Sequence, residues 1–217
     1  CAPTSAHCSS LKFTPHKTGD RTIRAESQPH KEAIYKKTVE LYPNDFRAYN
    51  NLGMMAYANG DLATAENYFK QAASKNANAA EVNTNLGLIE LTKGNVANAE
   101  TYLSKSTGAN TANEALGNLY IKQGQYDRAV QAFGDTKTNS AALAQILAKD
   151  YNKAKSTLSA VKNPDAYTNY LMAVVGARTN NADLVKSSMD KVKQQDAALA
   201  AKAQNDREFA KYANEVK

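Results

Sequence analysis

Glycine sets a ruler along this chain. Gly53 and Gly60 are seven residues apart, and the same interval separates Gly87 from Gly94 and Gly117 from Gly124. From pair to pair the step is 34 residues and then 30. Ten glycines scattered at random would not keep such a register. A period of roughly 20–50 residues means stacked supersecondary units, each burying its apolar faces against its neighbours and not in one closed core.

The residues around the glycines keep the same phase. Ala65 and Phe69 return as Ala99 and Leu103, and again as Ala129 and Phe133. On a helix, residues four apart lie one above the other on one face, so the small residue admits a close neighbour and the large one fills the gap beside it. Tyr49, Leu52, Gly53 and Ala56 keep the three-and-four spacing of a buried helical stripe. Glycine within a helix costs about 1 kcal/mol relative to alanine. Its return at one phase predicts a second helix packed too close to admit a side chain.

Proline divides the chain. Pro3, Pro15 and Pro29 lie before residue 30, whereas residues 44–163 contain none. Residues 1–29, which carry both cysteines and no sustained periodicity, read as a flexible N-terminal tail or linker. Residues 30–217 read as a solenoid. It opens with a leading half repeat at 30–43, holding Tyr35 and Pro43, and continues through clear repeats at 46–136. Degenerate repeats follow at 137–195, where Ala154 with Leu158 and Val185 with Met189 continue the small-then-large phase. C-terminal capping helices at 196–217 would close the stack, with Lys202, Asn205, Asp206, Arg207 and Glu208 as the polar outer side that a terminal unit requires.

This pattern resembles the tetratricopeptide repeat, whose signature runs W-x2-L-G-x2-Y, then A-x3-F, then P, with a period of about 34 residues. Tyr49, Leu52, Gly53, Gly60, Ala65, Phe69 and Ala72 fit the first unit, although Tyr49 replaces the tryptophan, Ala56 the second aromatic and Ala77 the closing proline. Asn83, Leu86, Gly87, Gly94, Ala99 and Leu103 fit less closely. Leu116, Gly117, Tyr120, Gly124, Ala129 and Phe133 fit strongly. The resemblance covers roughly residues 30–195 and implies an all-α, right-handed superhelical solenoid of stacked antiparallel helix pairs. It also implies a concave side lined by the first helix of each pair, which binds peptides or partner proteins.

The usual reagents of catalysis are missing from the repeats. His7, His16 and His30 precede them or lie at their edge, and Cys1 and Cys8 lie in the tail, so the solenoid can hold neither a Cys-His pair, a Ser-His-Asp relay nor a thiolate or imidazole zinc site. The glycines are singly placed and form no phosphate cradle. The net charge of +6 is spread among interspersed acids and bases, without the basic stripe and aromatic platforms that nucleic-acid binding requires. We therefore expect a non-catalytic scaffold without cofactor, metal or small-molecule substrate, and with a protein or peptide partner. The alternative is a regulatory or spacer region of a longer envelope protein whose active domain lies elsewhere.

No run approaches the roughly 18–20 apolar residues of a membrane helix, and no secretory core is visible at the start. The first residue is Cys1 and not Met, which marks a processed product or an excised fragment. Cys1 followed by Ala2 and a Ser/Thr-rich stretch resembles a mature bacterial lipoprotein, and makes Cys1 a candidate lipidation site. The repeats also resemble those of Gram-negative envelope proteins. The expected location is thus the bacterial envelope or periplasm, with the cytoplasm as the alternative, and any membrane tether would run through the N-terminus. A Cys1–Cys8 disulfide is a further alternative in an oxidising compartment.

For the partner we expect a trough on the first helices. Asn51 and Asn85 each precede a Leu-Gly pair, 34 residues apart. Asparagine is a poor helix former, and its amide offers both a donor and an acceptor to an extended peptide. Arg47, Asn50, Met54, Tyr57 and Leu88 would line the same trough and select side chains. Some members of the family grip a chaperone C-terminal carboxylate with Lys, Arg and Asn residues. The corresponding positions here hold Asn50, Met54, Asn85, Thr111 and Ala115, so that ligand class is not expected.

Overall fold

The computed structural model describes residues 28–106 and 108–216. It is a stack of helix pairs, with no strand among the described residues. Helix α1 (Gln28–Leu41) leads. Five pairs follow: α2 (Phe46–Ala58) with α3 (Leu62–Lys75), α4 (Ala80–Thr92) with α5 (Val96–Ser104), α6 (Asn110–Lys122) with α7 (Tyr126–Phe133), α8 (Asn139–Leu147) with α9 (Tyr151–Ser159), and α10 (Ala166–Arg178) with α11 (Ala182–Gln195). Helix α12 (Ala197–Ala203) and a 3-10 segment (Arg207–Tyr212) end the stack.

The two glycines of a pair serve different ends. A Cβ on Gly53 would lie 2.6 Å from two ring carbons of Phe69, and one on Gly87 would lie 2.6 Å from Cγ of Leu103. These are the close helix contacts that the spacing predicts. The second glycine of each pair has open space around it but a left-handed backbone, with φ of 82° at Gly60, 80° at Gly94 and 73° at Gly124. Each ends a first helix.

That distinction exposes the register of the later pairs, which no glycine marks. One backbone bond recurs at every turn within a pair: Asp61 N–H to Ala56 C=O, Asn95 to Glu90, Gln125 to Tyr120, Asp150 to Gln145, and Asn181 to Gly176. By this register Lys149 (φ 66°) and Asn180 (φ 54°) stand where Gly60, Gly94 and Gly124 stand. Seven residues earlier, Ala142 and Ala173 are fully buried at the close-packing position. Alanine tolerates nearly the same approach, and Asn visits the left-handed region readily. Lysine does not, so Lys149 carries local strain.

Caps compensate in this half. Asp150, Asp165, Asn181 and Asp196 each accept a backbone N–H at the start of α9, α10, α11 and α12, and Asp165 with Thr168 forms a capping box.

Three expectations need correction. The N-terminal tail was drawn to residue 29, but α1 begins at Gln28. Proline is tolerated in a first helical turn, where its missing N–H would have had no partner, so Pro29 starts a helix and does not precede one. The remaining tail, with Cys1, Cys8 and the lipidation, disulfide and metal readings attached to them, lies outside the described residues. The C-terminal cap also differs. Its last element is a 3-10 helix, and Asp206 and Glu208 turn inward and do not form its polar outside: Tyr170 donates its hydroxyl to Asp206, and Arg178 grips Glu208 through Nε and Nη2. Phe209, Tyr212 and Val216 are buried behind them. Finally, the acidic residues of the repeats are not all solvent-facing, because Glu90 is only 6% exposed.

Candidate partner-binding face

Helices α2, α4, α6, α8 and α10 take the first place in each pair, and contacts from α4 to α6, α6 to α8 and α8 to α10 set them side by side. On α2, Asn50, Met54 and Tyr57 share one face by their spacing of four and three. Met54 and Tyr57 meet Asn85 and Leu88 of α4, with Phe69 behind, around a crevice of about 160 Å³ too narrow for a water molecule. Four of the seven sequence-predicted residues are thus brought together. Asn50 joins them, because Asn85 donates its amide to Asn50 Oδ1 at 2.9 Å.

Two candidates stand apart. Asn51, half-buried, is one residue round the helix from Asn50 and does not take part in the amide pair, although it is the sequence equivalent of Asn85. Arg47 is 73% exposed and binds Asp45, the residue that caps α2, through Nε and Nη2 at 2.9 Å. This holds the Asp45 carboxyl below the usual carboxylate range, through the arginine's hydrogen bonds. Asn83, one of the poorer matches to the repeat signature, is 2% exposed and spends its amide on the carbonyls of Ala77 and Ala79. It anchors the turn into α4.

Polar ties on another side of the stack escaped sequence reading. Glu90 accepts from Asn95 Nδ2 at 2.9 Å, Asn98 Nδ2 at 3.1 Å and Lys93 Nζ at 3.3 Å, while Lys93 also reaches Glu66 of the preceding pair at 3.2 Å. Burial alone would raise the Glu90 pKa, but these donors outweigh it and the carboxyl stays below its ordinary value. At the next junction Glu100 accepts from Tyr120 Oη at 3.0 Å and Arg128 Nη2 at 2.6 Å, with the guanidinium 4.1 Å from the Tyr120 ring centroid. Burial, then the Glu100 charge, push the Tyr120 hydroxyl up. The signal was present: Glu66 and Glu100 each follow the small alanine of the second helix.

At the third junction Val130 holds that place, so the tie is missing. An open cleft of about 440 Å³ lies there between the turn at 124–128 and the turn at 147–149. Among the described residues no three His, Cys, Asp or Glu side chains gather as a metal site, and no helix is long and apolar enough to cross a membrane.

Three tetratricopeptide repeat family models match the sequence, over residues 34–67, 56–114 and 113–137. The chain belongs to the tetratricopeptide repeat family. Solved tetratricopeptide structures share its fold at low identity. YrrB, described as having an unusual peptide-binding site, is 19% identical with a TM-score of 0.63, over 79% of this chain and 99% of its own. For pilF of Pseudomonas aeruginosa the values are 14%, 0.67, 87% and 90%. For PilW, described as a widely conserved type IV pilus biogenesis factor, they are 19%, 0.59, 85% and 90%. No curated protein matches the sequence. Tetratricopeptide proteins generally mediate protein–protein interaction and are typically not catalysts.

Proposed function

We propose that this chain is a non-catalytic scaffold that holds a protein or peptide partner on the first helices of its repeats, in a bacterial cell envelope. The observation that carries the reading is the meeting of Met54 and Tyr57 on α2 with Asn85 and Leu88 on α4, around a seam held by the Asn50–Asn85 amide pair. An apolar seam with a few fixed amides suits a peptide that inserts side chains while its backbone meets the amides. Arg47, more exposed, would meet the partner at the rim. The envelope location draws on the likeness to PilF and PilW, which share the fold alone at these identities.

Affinity and stability separate binding from structural roles. A partner captured by the full chain is titrated against Met54→Ala, Tyr57→Ala, and Asn51→Ala with Asn85→Ala. The proposal expects affinity to fall by tenfold or more for Met54→Ala or Tyr57→Ala, beyond any change in melting temperature. If affinity is unchanged, or falls only as stability falls, the face is wrongly assigned.

A further inference from the structure

The two ends of the stack are finished differently. At the C-terminal end Phe209, Tyr212 and Val216 are 1%, 6% and 1% exposed. At the N-terminal end α1 packs on α2 alone and has no buried residue. Ile34, Leu41 and Tyr42 there are 44%, 61% and 64% exposed, three of the five large hydrophobic residues left exposed among the described residues.

Helical geometry places these groups. At 100° per residue Ile34 and Leu41 lie within about 20° of one another, with Lys31 and Lys37 each about 60° to either side. Glu40 and Glu32 lie about 120° and 160° away from Ile34. The outward side of α1 is therefore apolar along its centre and cationic along both margins. Lys37 shares an ion pair with Glu40, but both are about two-thirds exposed (66% and 65%), so the pair adds little and leaves the lysine available. The sequence running into α1 adds Lys17, Arg21 and Arg24 against Asp20.

This charge pattern decides what can cover the face. A preceding repeat helix would need a small residue where Ala65, Ala99 and Ala129 stand, and one repeat length before Ala65 the residue is Lys31. A second copy of the chain, paired antiparallel through the same stripe, would bring four lysines together with no carboxylate on that side. An anionic bilayer surface fits both the apolar centre and the basic margins. We propose that α1 is an interfacial helix that lays Ile34, Leu41 and Tyr42 onto an anionic lipid bilayer, so that the repeat stack stands off the membrane from its N-terminal end. This goes beyond the scaffold reading and does not rest on it.

The test uses the purified, unacylated full chain in sedimentation with vesicles of phosphatidylcholine, alone or mixed with phosphatidylglycerol. The expected result is binding to the mixed vesicles only, weakening as salt rises, since each basic residue near such a surface contributes roughly fivefold. Lys31→Glu with Lys37→Glu should lower the partition coefficient at least tenfold, and Ile34→Ser with Leu41→Ser likewise. Lys186→Glu with Lys191→Glu, on exposed positions of α11, makes the same change in net charge and should leave most of the binding. Absence of vesicle binding, equal losses in the two charge-reversed proteins, or a wild-type dimer in light scattering that the serine variant abolishes would each overturn the proposal. Partner capture by α2 and α4 is measured separately, and its outcome leaves this one untouched.

Discussion

Gly53→Ala adds one methyl group, and the structure says where it goes. The new carbon would stand 2.6 Å from Cδ1 and Cε1 of Phe69, about 1 Å inside an ordinary carbon–carbon contact of roughly 3.5–4.0 Å. Phe69 is 1% exposed and has no outlet to solvent. Overpacking of this kind costs about 1–3 kcal/mol, and alanine recovers about 1 kcal/mol of helix propensity. The expected net loss is about 1–2 kcal/mol. Gly60→Ala meets no neighbour within 4 Å but must hold φ near 82°, which costs a side chain about 1–2 kcal/mol. Similar losses thus arise from unrelated causes, and Phe69→Leu tells them apart. Urea denaturation of the three single variants and both double variants gives two cycles. Gly53→Ala with Phe69→Leu should be more stable than the sum of its parts by about 1 kcal/mol, because the smaller side chain admits the methyl. Gly60→Ala with Phe69→Leu should be additive within about 0.5 kcal/mol. Additivity in the first cycle would refute the claim that the glycine is there to admit the phenyl ring.

Lys149→Gly should raise stability by about 1 kcal/mol in the same assay, since it relieves a left-handed lysine at the turn where three other repeats have glycine. Glu90→Gln should be less stable than wild type near neutral pH. Because the folded carboxyl titrates below its unfolded value, the advantage of the charge is present above the usual carboxylate range of about 4.3 and fades as pH falls through it, so the two melting curves should converge in acid. Arg178→Ala, which frees Glu208, should speed amide exchange at residues 207–216 and leave residues 46–133 unchanged. Acidic peptides with a free C-terminal carboxylate should show no micromolar binding; affinity lost on amidation would contradict the absence of a cationic clamp.

The first three repeats are legible in the sequence because their marks are chemical necessities. Only glycine admits Phe69 or Leu103 so closely against a first helix, and glycine is the easiest residue to hold at φ near 80°, so both requirements write the same letter seven residues apart. In the later repeats alanine serves at Ala142 and Ala173, and Lys149 and Asn180 accept the turn. The fold survives there while its spelling changes, and the recurring backbone bond at each turn restores the register. The candidate face divides in the same way. Sequence placed Met54, Tyr57, Asn85 and Leu88 on first helices, since their phase follows from helical periodicity alone. It paired Asn85 with Asn51 by counting 34 residues, whereas neighbouring helices sit offset and bring Asn85 to Asn50. Glu90, Glu66 with Lys93, and Glu100 with Tyr120 and Arg128 could not be foreseen as ties, because each joins residues 20 or more positions apart or buries a charge that sequence alone assigns to solvent. Periodicity determined which face each residue occupies; the offset between stacked helices, which depends on how every side chain at the junction packs, decided which residue it meets.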